Sequence, residues 1–493
     1  MSFIKRTIGK LREVNLLQDL DRTLAIAGVV FCVLLIVYMV LTVGRVIYLL
    51  AGVLFLLSCI LWLGMRKSHL LEFHFSESGS PFTILATGFF ILYILSILSV
   101  YFRPDFYERP LLYFILSAVM AGVIAGEIFL SGTHRSGLII SQVVLLGLSV
   151  AWSQLLIFPG LVGVDPWYHY TFTGQILHTF HIPEGESYSK LPTFHLVIAL
   201  TSSLTTLPYK FAAMVSVSLG QILCNALFLY LTARSLFKNQ QVGLLAALLV
   251  TIANTCIFMS YWSIPNAFAA VFMPIAFYLL LFKVKGKARI VFTSLVALMM
   301  IMIILGHTIT AMCMAILLFA VWFSFRAYKM YFSTREAQIS LLFPVSFVIL
   351  MFAWWTYASS GSFATLSVLI RDGFSIDFFS NTPAEFQNYL LTVPLSEQIF
   401  NNLGIFLFFA LSFIGIFFMI SRKGNSSTFI FAWLGLIPLA ISFFSLVSLL
   451  SVIEQRWWYF AQLFLSIPLA VGLILLVTWK CRRTVSMILF IRK

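Results

Sequence analysis

Residues 163–170 read Gly163-Val164-Asp165-Pro166-Trp167-Tyr168-His169-Tyr170, and they separate a clear membrane span from a polar region. Asp165 is a favoured helix N-cap residue, and Pro166 fits the first helical position, where its missing N–H is not needed. A helix that starts here carries Asp165 and His169 four residues apart, with both side chains on the same side. Such a carboxylate and imidazole could bind a divalent cation or transfer a proton. Equally, Asp165 could only cap an interfacial helix while the aromatic residues lie in the interfacial belt.

The composition excludes a soluble globular protein. Of the 493 residues, 61% are hydrophobic and 10% are charged, and apolar runs long enough to cross a bilayer recur along the chain. These runs lie near residues 24–42, 46–64, 82–100, 111–130, 138–157, 211–231, 242–259, 265–282, 290–305, 309–325, 339–357, 401–420, 428–450 and 459–479. We predict an all-α polytopic membrane protein with about 14 transmembrane helices. It should have two long extracytoplasmic loops, residues 158–210 and 358–400, and interfacial helices.

The formal net charge of +14 reflects membrane topology rather than a nucleic-acid partner. If the N-terminus is cytoplasmic, Lys and Arg concentrate in the inner segments, as the positive-inside rule requires. The exceptions are Arg45, Arg103, Arg109, Lys190, Lys210, Arg371 and Arg456. This assignment requires residues 191–207 to form a short interfacial helix, begun by Pro192 and closed by Pro208, that does not cross the membrane. The prediction is a multi-pass protein of the cell membrane with both termini cytoplasmic.

Further candidate groups lie in the other outer segments. His307 separates two apolar runs at the outer boundary, where it could face the same cavity as Asp165 or simply be solvated. The second long outer region contains Arg371 and Glu397, and its length and apolar content predict a lid on the membrane surface.

The last outer segment, Glu454-Gln-Arg-Trp-Trp-Tyr459, directly precedes the final span. The guanidinium of Arg456 presents a planar fork of donors that suits phosphate oxygens. The alternative is an aromatic-belt anchor with a snorkelling Arg. An ion-coupled transporter would be expected to hold polar and charged groups at mid-bilayer, and the predicted spans contain almost none. We therefore expect the chemistry at the outer interface, where a lipid-linked substrate presents its headgroup.

Three of these elements resemble a known family. Asp165-Pro-Trp-Tyr-His169 resembles the Asp-x-x-Tyr-His element of archaeal oligosaccharyltransferase catalytic subunits. Glu454-Gln-Arg-Trp-Trp-Tyr-Phe-Ala461 resembles their Gln-Arg-x-x-x-Tyr region, and Ser396-Glu397 more weakly resembles their Ser/Thr-x-x-Glu element. The wider class is the GT-C membrane glycosyltransferases, which use polyprenyl-phosphate-linked sugars. The chain departs from the family because it lacks the soluble C-terminal domain with a Trp-Trp-Asp-Tyr-Gly motif, so another acceptor is expected.

The resemblance implies a domain organisation. Residues 138–479 would form a GT-C-like transmembrane core with the two outer loops. Residues 1–137 would add a cytoplasmic tail and four accessory transmembrane helices, and residues 480–493 a basic cytoplasmic tail.

The resemblance also implies an activity and a site. The protein would move a sugar or oligosaccharide from a polyprenyl-phosphate-linked donor to an unknown acceptor at the extracytoplasmic face. Asp165 and His169 would be catalytic. Arg456, His307 and Arg371 would bind substrate phosphate. Asp165, His169 and Glu397 would hold a divalent cation, Mg²⁺ or Mn²⁺.

Two other functions are compatible with the sequence. A lipid-linked saccharide flippase or polysaccharide exporter would carry charged groups along a path through the bundle. A non-catalytic GT-C relative would bind lipid-linked sugar without transferring it. The lipid bilayer is a partner in every one of these readings.

Overall fold

The computed structural model describes residues 19–43, 46–66, 79–130, 135–185, 187–282, 286–332, 339–360, 362–374, 376–377, 393–443, 451–452 and 454–491. In these residues the regular structure is helical apart from one antiparallel pair of two-residue strands, β1 (Ile376–Asp377) and β2 (Ser451–Val452). The all-α prediction is therefore confirmed for the described part of the chain.

The α-helices are numbered in chain order. The first ten are α1 (Leu20–Tyr38), α2 (Val46–Met65), α3 (Gly79–Tyr101), α4 (Leu111–Leu130), α5 (Ser136–Ile157), α6 (Asp165–Thr179), α7 (Thr193–Thr205), α8 (Tyr209–Ala213), α9 (Leu219–Phe237) and α10 (Gln240–Thr251). The others are α11 (Asn254–Tyr261), α12 (Pro265–Ala270), α13 (Phe272–Leu281), α14 (Lys287–Gly306), α15 (Thr308–Phe332), α16 (Leu342–Ala358), α17 (Phe363–Phe374), α18 (Leu395–Ile420), α19 (Ser426–Ser442) and α20 (Glu454–Ile491).

Nine helices in the described part of the chain are long and apolar enough to cross a membrane. A tenth span results if α10 and α11, which meet at 57°, cross together. Four shorter apolar helices coincide with further predicted spans: Leu49–Met65, Pro265–Leu281, Leu342–Ala358 and Ser426–Ser442. A helix of about 17 residues covers roughly 25 Å, somewhat less than a hydrocarbon core of about 30 Å. The chain is a multi-pass membrane protein, and the count of fourteen remains a prediction.

One end of the bundle is held by an ion-pair network. Arg66, directly after α2, places its Nη2 2.5 Å from Asp19 Oδ1 and its Nε 2.6 Å from Asp21 Oδ2, at the start of α1. Trp62 also donates to Asp21, which is buried. The Arg66 carbonyl accepts a hydrogen bond from Lys423 in the turn between α18 and α19. The start of α1, the end of α2 and this turn therefore lie together.

At the other end of the bundle, the first long region, residues 158–210, packs against helices that come later in the chain. Thr193 Oγ1 donates to Leu305 O at 3.0 Å, beside the turn between α14 and α15. Trp354 Nε1, near the end of α16, donates to Lys190 O at 3.0 Å. We refer to this end as the site end, because the candidate residues described below lie there.

Residues 191–207 contain the predicted short helix, α7, and its location at the membrane interface remains a prediction. Pro192 occupies its N-cap position, and Thr206 ends it with a left-handed φ of 58° just before Pro208. Its 13 residues cover about 20 Å, which is too short to cross a bilayer.

The second long region, residues 358–400, was predicted as a loop that forms a lid, and the structure shows regular elements within it. Residues 363–374 form α17, and the backbone of Ile376 and Asp377 pairs with Val452 and Ser451. This pairing joins the second long region to the segment before α20. Residues 378–392 of the predicted lid lie outside the described residues.

The bend between α10 and α11 falls at residues 252 and 253, in the middle of a predicted span. Thr255, at the start of α11, donates from both its backbone N–H and its hydroxyl to Gln462 Oε1 on α20, at 2.9 and 2.5 Å. Nearby on α20, the buried Tyr459 hydroxyl accepts from Gln221 Nε2 of α9. The expectation of almost no polar groups within the spans is therefore wrong for uncharged side chains. Isolated Gln and Tyr residues barely lower the hydropathy of the apolar runs that contain them.

Candidate functional site

Asp165 is the first residue of α6, where the helix dipole favours a negative charge. Val164 occupies the N-cap position, and no side chain caps this helix end. The predicted Asp165 cap is therefore wrong by one position, although Pro166 does lie in the first turn. The partly exposed Asp165 carboxylate is consequently not engaged in capping.

The loop before Asp165 depends on Gly163. Its φ is +89°, a conformation that costs glycine little and other residues more. A Cβ atom at this position would lie 2.5 Å from Nε1 of Trp262, the residue that ends α11. The backbone of Gly163 therefore packs closely against Trp262, and this contact joins the loop before Asp165 to the bent pair α10–α11.

His169, one turn after Asp165, forms a buried pair with His195 of α7. Its Nδ1 lies 3.0 Å from Nε2 of His195, and the two residues are 3% and 0% exposed. Aromatic rings enclose the pair, since Tyr188 and Phe194 each contact both imidazoles. Burial, followed by the charge that His169 would carry, lowers the pKa of His195 to about 3. Both imidazoles are therefore neutral at physiological pH.

Arg456 lies in the first turn of α20, within electrostatic range of His169 and His307. Burial, followed by the positive charge of Arg456, lowers the pKa of His169 to about 3. The same two causes, in the same order, bring the pKa of the buried His307 well below its usual range. His307 is the residue between α14 and α15. The structure therefore brings His169, His307 and Arg456 together at the site end.

Tyr188 connects this group to Asp165. Burial raises the pKa of the Tyr188 hydroxyl to about 12, the charge of Arg456 opposes that shift, and the charge of Asp165 adds to it. Tyr188 thus lies within electrostatic range of both. The carboxylate of Asp165 and the guanidinium of Arg456 share one neighbourhood formed by α6, α7 and α20.

Arg371 lies at the edge of this group. It is half-exposed near the end of α17, and its Nε is 3.7 Å from Oδ1 of Asp372. Burial raises the pKa of Asp372, and the charges of Arg371 and then Arg456 oppose the shift. Asp372 therefore lies near Arg456, and the carboxylate that Arg371 pairs with is its own neighbour in sequence.

Glu397 does not lie on a loop as predicted. It is exposed in the first turn of α18, a regular helix from Leu395. Among the described residues, no group of three or more His, Cys, Asp or Glu side chains is placed to hold a metal ion. Asp165, His169 and Glu397 are thus not assembled as a ligand set in this structure. The divalent cation remains a prediction.

Two residues of the site were not singled out from the sequence. Tyr188 carries no local signal, because it lies in a single short 3₁₀-helix, Ser187–Lys190, with no apolar pattern to interrupt. His195 does carry one. It shares the buried face of α7 with Phe194, Ile198 and Ala199, so a polar residue interrupts an otherwise apolar helical stripe.

The arrangement provides donors for an anion beside carboxylates that could accept a proton. It combines the Arg456 guanidinium, neutral imidazoles that can donate or accept hydrogen bonds, and buried aromatic rings, with Asp165 and Asp372 in electrostatic range. Hydrogen bonds to a charged group are stronger in such surroundings than in bulk water.

Comparison with known proteins identifies no relative: no family model, no curated protein and no solved structure matches the chain.

Proposed function

We propose that this protein is a membrane glycosyltransferase of the GT-C type. It would move a sugar or oligosaccharide from a polyprenyl-phosphate-linked donor to an acceptor at the extracytoplasmic face. Residues 138–479 would form the catalytic core of a chain with fourteen spans and cytoplasmic termini. The single observation that supports the proposal most is that Tyr188 contacts His169, one turn after Asp165, and lies within electrostatic range of both Asp165 and Arg456.

Each charged group has a distinct task in this reaction. The Arg456 guanidinium stabilises the charge on the phosphate leaving group, which is the largest electrostatic demand of the transfer. The Asp165 carboxylate accepts the proton of the acceptor nucleophile. His169 and His307 contact the phosphate, and Arg371 on α17 lies at the rim of the pocket.

Sugar transfer by the purified protein tests the proposal. Asp165→Asn should lower transfer from a polyprenyl-phosphate donor by about a hundredfold or more, in the range expected when a general base is removed. Glu184→Gln is a matched control, since Glu184 is an exposed carboxylate of the same long region. Full transfer by Asp165→Asn would remove Asp165 from the mechanism. A wild-type protein that transfers sugar from no such donor would refute the proposed activity.

Movement of a lipid-linked saccharide across the membrane is the second candidate function. The bent pair α10–α11 favours it, because broken helices beside buried polar groups are typical of transporter binding sites. A proteoliposome assay separates the two functions. Accelerated translocation that is lost in Gln462→Leu and kept in Asp165→Asn would support transport, whereas the proposed enzyme transfers sugar without translocating it.

A further inference from the structure

The buried pair of His169 and His195 has room for a single proton between its facing nitrogens. With His169 Nδ1 and His195 Nε2 only 3.0 Å apart, one of these nitrogens donates and the other accepts. Both rings are neutral, so the choice of donor also fixes which outer nitrogen of each ring carries a proton. Two arrangements are therefore possible, and they give His169 opposite properties at Nε2, the nitrogen that does not face His195.

The surroundings of His195 distinguish the two arrangements. Its Nδ1 is buried and has no hydrogen-bond partner. If His169 donated, this nitrogen would carry an N–H group directed into a wall of Phe172, Tyr188 and Phe194 rings. A buried donor without an acceptor costs about 1–3 kcal/mol, and orphaned N–H groups are rarer than under-satisfied acceptors. The less costly arrangement leaves His195 Nδ1 bare and makes its Nε2 the donor.

The same argument applies to the tautomer of His307. Its Nδ1 is also buried and without a partner, so its proton belongs on Nε2. The charge of Arg456 would favour a bare nitrogen beside it. No hydrogen bond joins Arg456 to either imidazole among the described contacts. The electrostatic preference for a bare nitrogen is therefore smaller than the free-energy cost of a buried N–H donor without an acceptor.

We propose that His195 is a positioning residue that holds His169 with its proton on Nε2, so that the Nε2–H groups of His169 and His307 are available as donors to an anion that the charge of Arg456 attracts. The identity of that anion as a substrate phosphate rests on the proposed function. The tautomer itself does not. This set of donors recognises a phosphate oxygen and leaves His169 without a lone pair for a metal ion.

Nitrogen-15 NMR of the histidine-labelled protein in nanodiscs tests the tautomers directly. The chain has eight histidines, and His169→Gln and His307→Gln variants assign the two signals that matter. We expect both residues to show a protonated Nε2 and a bare Nδ1. A bare Nε2 on His169 in the wild-type protein would overturn the inference, even if no His195 variant folds.

Two substitutions of His195 separate positioning from packing. His195→Gln keeps an N–H donor that can reach Nδ1 of His169, whereas His195→Phe keeps a ring of similar size and removes the donor. Farnesyl phosphate, a short polyprenyl phosphate, is the binding probe. His195→Phe should change the His169 tautomer and weaken binding about tenfold, the effect of one hydrogen bond to a charged group. His195→Gln should stay within about threefold of wild type.

His178→Gln is the control for these experiments, and separate results would refute the inference or the proposed function. His178→Gln removes an exposed histidine of the same helix α6 and should change neither signal nor binding. An unchanged His169 tautomer in His195→Phe would refute the positioning role. If the tautomers are as expected but the wild-type protein transfers no sugar, the proposed function fails and the inference stands. If transfer occurs with the opposite tautomer, only the inference fails.

Discussion

Among the histidines of the first long region, His178 and His181 are exposed, while His169 and His195 are buried and hydrogen-bonded to each other. Residue type and spacing could single out His169, because it lies one turn after Asp165. They could not reveal its partner, since that partner comes from a different helix. The charge state of His169 follows from burial and from Arg456, nearly three hundred residues later in the chain. At the scale of single residues, the sequence therefore indicates candidate site residues, whereas their hydrogen-bond partners and charge states depend on the tertiary structure.

The buried pair has a consequence for pH stability. His169 and His195 titrate near pH 6.5 when unfolded and near pH 3 when folded. Between these values the unfolded state binds more protons, so stability is full above pH 6.5 and falls as pH decreases toward 3. Each histidine can contribute up to about 1.4 kcal/mol per pH unit.

Thermal unfolding in detergent at pH 7 and pH 5 checks this expectation, in a range where most carboxylates do not titrate. The wild-type melting temperature should fall at pH 5, and the double variant His169→Gln/His195→Gln should lose much of that fall. An equal fall in both proteins would contradict the buried neutral pair.

At the scale of elements, helices defined by length and hydropathy are predicted well. Residues 111–130 were predicted as a span and form α4. Residues 242–259 were predicted as one span and instead form α10 and α11, because the break is held by Gln462 from a helix two hundred residues away. The helix α17 was not predicted, because the second long region was read as a loop that forms a lid; in the structure Leu366, Leu369 and Ile370 of α17 pack against the core.

The loop between α5 and α6 gives a test at the same scale. Gly163→Ala should lower sugar transfer about tenfold or more, because both the positive φ and the Trp262 contact oppose a side chain, with strain of about 1–3 kcal/mol. Gly185→Ala is the matched control. Gly185 has a similar φ of +82° but open space around a Cβ atom, so it shares the backbone strain and not the clash. Equal losses in the two variants would show that the Trp262 contact does not position the Asp165 loop.

At the scale of the whole molecule, the fold brings two distant parts of the chain to one end of a helical bundle. Asp165 begins α6, and Arg456 lies in the first turn of α20 nearly three hundred residues later, yet both lie within electrostatic range of Tyr188. Motif resemblance predicted Asp165 and Arg456 as site residues, and it gave no indication that Tyr188 lies within electrostatic range of both. Hydropathy predicted the spans but not their mutual arrangement, because lipid-facing and buried apolar residues look alike in sequence.

Binding of farnesyl phosphate tests the central claim, that Asp165 and Arg456 border one phosphate pocket, most directly. Arg456→Gln should weaken binding about tenfold or more, because a charged hydrogen bond is lost. Asp165→Asn should strengthen binding severalfold, because a negative charge beside the phosphate is removed, even as transfer is lost. Arg103→Gln, at an arginine that bonds Phe106 O outside the site, should leave binding unchanged. Binding that is indifferent to both Arg456→Gln and Asp165→Asn would contradict a shared pocket.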